Sequence, residues 1–548
     1  MNRITLIICL IAFACTINAQ SQSMSKSFEE MKQKQQERFN KIKADQQAEY
    51  DAFRKEINER YAEFMQKNWE QFNAYPAVKP KEEKTIPPVI YKEEEDTIAP
   101  ITTPEPQPQP QPELEPEPAP TPDTVPQTQP AEEPVVEPES EPQPEPQPEP
   151  QPKPEPIPVK EEVIKIPTPK PAPQPLAPVQ PKEEITYERT TVNFYGTSIA
   201  IGFPTAVNFK LKGITEKDLA AAWKELSSEQ YDITISDALA ARKKFALCDW
   251  GYIKMLQNVT EKKYGKTNEA VFMQAFVLSQ SGYKMRMAYD DNKKLYVLVA
   301  SQYNILSMSY FMIDGEKFYP LNCNTDQLKI CKASFEKEQA ISLQIRNEQK
   351  LKTAYTEPRK LSSKYGVIAN VAVNKNNINF YNDYPSAYIG DNSTMRWVVY
   401  ANTPLEKSIK NALYPTLKKS IEGLDQRNAV NKILNFVQTA FEYEYDDKVW
   451  GGDRVFFAAE TLHYPYADCE DRSILFARLV RDLLGIDVVL LYYPGHLATA
   501  VAFTQEVNGD HLLYKNKKYT VCDPTYIGAP VGRTMPGMNN QQAQIIVL

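Results

Sequence analysis

The chain has 548 residues, too many for one hydrophobic core, with 45 prolines, 18 glycines and a formal net charge of −8 at pH 7. The first glycine is Gly196 and most prolines fall between Pro76 and Pro181, so residues 1–185 are not expected to be a compact globule and the folded mass lies in 186–548. The acidic balance comes largely from that proline tract, and no basic patch interleaved with aromatics argues for nucleic acid.

Residues 1–19 read as a secretory signal peptide. Asn2-Arg3 form a basic start, Ile4 to Ala14 form an apolar core too short to span a bilayer, and Ile17-Asn18-Ala19 supply small residues before a cleavage point. Cys15 offers a weaker lipidation alternative, disfavoured because no leucine stands at the expected place before it. The expected location is therefore extracytoplasmic: periplasm, cell envelope or secreted. Such a compartment permits a disulfide, and Cys323 and Cys331 are close enough in sequence to form one. No cysteine pair has zinc-site spacing, no acidic loop suggests calcium, and no cofactor or metal is expected.

Residues 24–75 carry an 11-residue repeat. Phe28, Phe39, Tyr50, Tyr61 and Phe72 form one series, and Met31, Ile42, Phe53, Phe64 and Tyr75 the other, with mostly Lys, Glu, Gln and Arg between them. Eleven residues in three turns nearly match a straight helix, so the apolar stripe drifts little. Ser27 with Glu30 forms a capping box, and Pro76 is the expected stop. The stripe looks too narrow to sit on a globular core. It suits a homo-oligomeric coiled coil, a solvated single helix, or a membrane-surface helix, the last weakened by acidic residues on the polar face. Residues 76–184 are Pro/Glu-rich and favour extended polyproline II, either as a spacer for the C-terminal part or as a disordered tether.

Residues 185–330 read as an α+β domain. Strands are expected at 191–194 and 207–211, helices at 217–226 and 235–258, a buried helix at 268–281 ended by Gly282, then strands at 284–289, 295–300, 310–313 and 317–321. Residues 331–424 are assigned only as a connection. Residues 425–548 repeat the helix-then-strands order: a helix from about 470 to 484 stopped by Gly485, then strands at 486–493, 497–503, 512–514 and 519–522. Aligning the two stop glycines sets Lys266 against Cys469, Lys293 against His496 and Asn322 near Asp523, so the first domain is expected to be a degenerate copy without the chemistry.

Cys469 stands in the first turn of its helix, where unpaired N–H groups and the helix dipole favour a thiolate. Asp468, Glu470 and Asp471 oppose a thiolate, so an imidazole must supply the main stabilisation. His496 opens a strand after Pro494-Gly495, and Asp523 ends another, suited to orient the ring. His463 and His511 are set aside, in a less ordered stretch and a turn.

Residues 425–530 resemble the transglutaminase-like superfamily of papain-fold proteins, most of all its bacterial cysteine-peptidase-like branch. The resembling motifs are Phe456-Phe457-Ala458-Ala459-Glu460-Thr461-Leu462, Asp468-Cys469-Glu470-Asp471-Arg472, Gly495-His496-Leu497-Ala498-Thr499-Ala500-Val501 and Asp523-Pro524. Ala467 stands where the family often has glycine. The resemblance implies a papain-like domain with Cys469, His496 and Asp523 catalytic, and an aromatic of the Tyr443–Tyr445 stretch lending an oxyanion donor beside the Cys469 backbone N–H. The implied activity is peptidase or amidase chemistry on a peptide or protein substrate, through a thioester resolved by water or an amine. The alternative is a non-catalytic envelope scaffold or peptide-binding protein that self-associates through its N-terminal helix.

Overall fold

The structure is a computed structural model that describes residues 3–68, 75–79, 172–306, 308–321, 326–390 and 392–548, with side chains from Glu29 onward. It is an α+β protein. Most of the proline tract, residues 80–171, lies outside the described residues, as does Cys323, whose pairing with Cys331 the sequence leaves open; among the described residues Cys331 is a buried free cysteine. Among the described residues no helix is long and apolar enough to cross a membrane.

Helix α1 spans Arg3–Asn68, ending before the expected Pro76. Its last turns sit on the globular body, contrary to the expectation that the stripe was too narrow for that. They do so with a different face: Arg54, Asn58, Tyr61, Ala62 and Met65 are buried, and of these only Tyr61 belongs to the stripe. Arg54 forms a buried ion pair with Asp232 at 2.7 Å, and Asn58 exchanges hydrogen bonds with Gln280 and accepts one from the Trp223 indole. The Tyr61 ring stacks on Phe335 at 4.3 Å. Arg54 and Asn58 start this face and it lies off the 11-residue stripe, so the repeat does not reveal it.

Both described ends of the proline tract are held by the first domain. Strand β1 (Tyr75–Pro76) pairs with Gln327–Leu328, and Val78 bridges Tyr310. At the far end the Leu176 N–H donates to the Gln280 carbonyl, and Arg242 donates to the Pro173 carbonyl. Gly282 makes this passage possible: at φ +86° a Cβ there would lie 1.8 Å from the Gln174 carbonyl oxygen. Residues 75–79 and 172–178, on either side of the undescribed part of the tract, thus both meet the first domain.

A hairpin of β2 (Tyr187–Phe194) and β3 (Thr197–Pro204) opens the body. Residues 207–211, expected as a strand, are irregular. Helix α2 (Glu216–Leu226) follows. The expected long helix is two: α3 (Asp232–Lys244) and α4 (Asp249–Tyr264), separated at Ala246, whose φ of 50° breaks the helix, and restarted by Cys248 as N-cap. Helix α5 (Asn268–Gln280) then leads to β4 (Met285–Tyr289), β5 (Leu295–Ala300), β6 (Asn304–Ile305), β7 (Phe311–Ile313), β8 (Glu316–Pro320) and β9 (Gln327–Cys331). The sheet runs β1-β9-β4-β5-β8-β7, all antiparallel.

Residues 331–424 are more than a connection. They form a hairpin of β10 (Arg359–Ser362) and β11 (Ile368–Val371), helix α6 (Lys375–Asn382), β12 (Ala387–Tyr388) paired with β6, and helices α7 (Arg396–Asn402) and α8 (Lys407–Ile421). Their apolar residues, among them Leu361, Ile378, Trp397 and Leu413, are buried in the core that lies under both sheets. Then come α9 (Gln426–Thr439), α10 (Asp446–Val449), α11 (Ala458–His463), α12 (Cys469–Leu484), β13 (Val488–Tyr493), β14 (His496–Val501), β15 (His511–Tyr514), β16 (Lys517–Cys522) and β17 (Gln544–Val547). His463 and His511 therefore lie in a helix and a strand.

The second sheet runs β17-β13-β14-β16-β15, also antiparallel. This is the order β9-β4-β5-β8-β7 of the first sheet, and each sheet follows a buried helix. The register refines the alignment. The first residue of α5 is Asn268, the residue opening β5 opposite Tyr289 is Leu295, and Leu298 faces Pro320 as Thr499 faces Cys522. Asn268, Leu295 and Leu321 thus stand where the second unit has Cys469, His496 and Asp523; Asn322 lies outside the described residues. The Asn268 side chain is spent on the strand, accepting from the Leu295 N–H at 2.9 Å.

Removing one member of a buried ion pair leaves the other charge uncompensated, at a cost of about 3–5 kcal/mol. Arg54→Ala is therefore expected to release the end of α1 and lower stability by about that amount. The check is urea unfolding together with hydrogen exchange over residues 50–66; an unchanged midpoint and unchanged protection would refute the docking.

Candidate functional site

Helix α12 begins at Cys469 because Asp468 caps it, accepting from the Asp471 N–H, and it ends at Gly485 in the left-handed region at φ 66°. Ile474, Leu475, Phe476, Leu479 and Val480 bury the helix, and Ser473 donates to the Leu497 carbonyl at 2.9 Å. That bond fixes the N-terminus of α12 against the head of β14. Cys469 is half-buried as a residue, and its sulfur lies on the buried side.

His496 and Asp523 come together. The imidazole Nε2 lies 2.8 Å from Asp523 Oδ2, with both side chains buried. The other carboxylate oxygen accepts from the N–H groups of Thr525 and Tyr526, so Asp523 is fixed independently of the ring. The ring lies nearly parallel to Tyr493, centroids 6.2 Å apart.

Cys469 reaches the same corner but not the ring itself. Its Sγ donates to Glu470 Oε2 at 3.0 Å, and the backbone of Leu497, the residue after His496, hydrogen-bonds the sulfur and favours its ionised form. Among the described residues no hydrogen bond joins the sulfur to the imidazole. Burial, and after it the charges of Glu470 and Asp468, hold the thiol pKa well above its ordinary range. The resting group is a protonated thiol.

Carboxylates crowd this turn. Asp471 is wholly buried and accepts from the Phe456 N–H; burial, then Glu470 and Asp446, raise its pKa. Asp468 and Asp446 are raised mainly by burial as well. Glu460, which accepts from the Phe457 N–H and pairs with Arg454 at 2.8 Å, is pushed by burial to about 7. Asp446, Asp453 and Glu470 bring carboxylate oxygens within 4.8 Å of one another, and Asp468, Cys469 and Glu470 make a similar grouping with the sulfur. These are the two groupings among the described residues whose spacing would suit a metal ion; the second is contiguous in sequence, whereas the first is assembled from separate segments.

Arg472 is the cation within. It is fully buried, and its three nitrogens donate to the carbonyls of Ala467, Gln438 and Phe441 at 3.1, 3.0 and 2.9 Å. Burial lowers its pKa to about 10, while Tyr443, Asp468, Asp471 and Asp523 act to keep it charged. Tyr443 and Tyr445 border the thiol: burial and then Cys469 raise both hydroxyls, and their rings meet edge to face at 5.3 Å. The stretch that holds these tyrosines is legible in the sequence, whereas the role of Arg472 is signalled only by an arginine inside an otherwise apolar helical stripe.

No protein-family model, no curated protein and no solved structure matches this chain.

Two outcomes follow. Glu470→Gln removes the carboxylate that accepts the thiol proton, so alkylation of Cys469 by iodoacetamide at neutral pH is expected to accelerate by about tenfold, one pKa unit; an unchanged or slower rate would show that Glu470 does not hold the proton. A carboxyl whose pKa is higher folded than unfolded stabilises the fold below its unfolded pKa and loses that contribution as pH rises through its folded pKa. Glu460 fits that sign, so the thermal midpoint is expected to fall as pH rises from about 4.5 to about 7, and Glu460→Gln to flatten the fall; a midpoint rising over that range would contradict it.

Proposed function

We propose that the protein is an extracytoplasmic cysteine-dependent acyl-transfer enzyme of the transglutaminase-like, papain-fold type, acting on amide bonds of a peptide or protein. One observation carries the reading. The buried His496–Asp523 bond engages Nε2 and leaves Nδ1 for proton transfer, at the head of the strand that α12 meets with Cys469.

In this reading Sγ attacks the substrate carbonyl carbon and gives its proton to His496 Nδ1. Asp523 stabilises the imidazolium through Nε2. The oxyanion meets the Cys469 backbone N–H, with the Tyr443 hydroxyl beside it. Collapse breaks the C–N bond, the leaving amine takes the proton from the imidazolium, and a thioester remains. Water then adds to the thioester, its proton passing to His496, and the thiol is restored with release of the acid. Glu470 keeps the thiol protonated until a substrate displaces it, which limits oxidation of the sulfur in an oxidising compartment. The first unit, with Asn268, Leu295 and Leu321 at the matching places, serves as scaffold.

The test is a screen of peptides, peptidoglycan fragments and proteins. Turnover is expected to vanish in Cys469→Ala, to fall by about 10³-fold or more in His496→Ala, and by about 10²–10⁴-fold in Asp523→Asn. Turnover indifferent to Cys469→Ala would overturn the proposal.

A further inference from the structure

Tyr61 apart, the 11-residue stripe stays exposed along residues 29–64 of α1. Met31, Phe39, Ile42, Tyr50, Phe53 and Phe64 are each 43–62 % exposed, although Arg54, Asn58, Ala62 and Met65 on the adjoining face are buried. Between residues 29 and 46 every side chain of the helix is exposed. Phe39, Ile42, Tyr50 and Phe53, large apolar groups maintained at one interval and left exposed, make a surface that water disfavours.

We propose that this stripe pairs two copies of the chain through α1 in antiparallel orientation. Two features on the helix favour a second copy running the opposite way. First, the two apolar series recur at one interval, so reversing a copy keeps them in register: Phe39 meets the second copy's Phe53, and Ile42 meets its Tyr50. Gln46 then falls at the symmetry axis, where a polar residue in an apolar seam sets register. Second, the charges are complementary between the halves. Residues 29–44 carry five basic and three acidic groups, and residues 45–68 carry four basic and six acidic. Antiparallel pairing sets the positive half of each helix on the negative half of the other, whereas parallel pairing sets like on like. It also carries the two globular bodies, each fixed to the last turns of its own α1, to opposite ends of the pair. An interval of 11 residues gives the pair a slight right-handed supercoil.

Sedimentation velocity of the full chain at micromolar concentration is expected to give a dimer, and Phe39→Glu with Phe53→Glu to halve the mass. Both residues are exposed, so the thermal midpoint of the body should stay unchanged. For orientation, Ile42→Cys and Tyr50→Cys proteins are mixed under oxidising conditions; a disulfide between the two variants, mapped by peptide mass, is expected. Disulfide dimers formed by either variant alone through its new cysteine would overturn the antiparallel arrangement. A monomer at all concentrations would overturn the pairing. So would a monomer that pellets with vesicles of anionic phospholipid through the same two phenylalanines, which would assign the stripe to a membrane surface.

Discussion

Everything at the candidate site depends on burying Arg472 in the first turn of α12. Its guanidinium closes three backbone carbonyls from α9, the segment after it, and the residue before the Asp468 cap. Those bonds fix where the helix begins and therefore where the sulfur of Cys469 stands. The same charge faces Asp468, Asp471 and Asp523 in a region from which water is excluded. Buried carboxylates in one turn repel each other, and a buried cation without partners would be equally unfavourable; each makes the other tolerable. The arrangement is expensive, and a chain that needed only a packed helix would fill the turn with apolar residues.

The electrostatics of the sulfur show which effect wins. A helix N-terminus favours an anion by about 0.3–1 kcal/mol when exposed and up to ~2 kcal/mol when partly buried. Burial and two adjacent carboxylates oppose it, and the thiol stays protonated. The dipole therefore does not activate the nucleophile. In the proposed mechanism activation falls to the imidazole and to the displacement of Glu470. The pairing of His496 with Asp523 is formed in the structure, and the proposed mechanism leaves the contact of sulfur with ring to substrate binding.

Much of this was legible in the residues. The last buried helix and most strands of both units follow from apolar period and from stop signals such as Gly485, and the identical strand order of the two sheets was foreshadowed by the repeated helix-then-strands pattern. His496 and Asp523 meet as their places at a strand head and a strand end suggested. The failures share a cause. The docking face of α1 is built on Arg54 and Asn58, the break at Ala246 is a backbone conformation, and the acid grouping of Asp446, Asp453 and Glu470 is assembled from separate segments. None of these leaves a hydrophobic period. The first hairpin turns over five residues and the second over two, and the run from Gly282 to Tyr289 is one residue shorter than that from Gly485 to Tyr493, so counting from the glycine lands on Lys293, two residues short of Leu295.

The most direct test of the central claim is to catch the sulfur carrying the acyl group. The protein is mixed with an activated ester, quenched in acid on the millisecond scale, digested and mapped by mass. The account predicts a transient acyl adduct on Cys469 that decays with release of the acid and accumulates when His496 is replaced by alanine after slow loading. Ester hydrolysis with no adduct on Cys469, or an adduct confined to Cys248, Cys331 or Cys522, would contradict it.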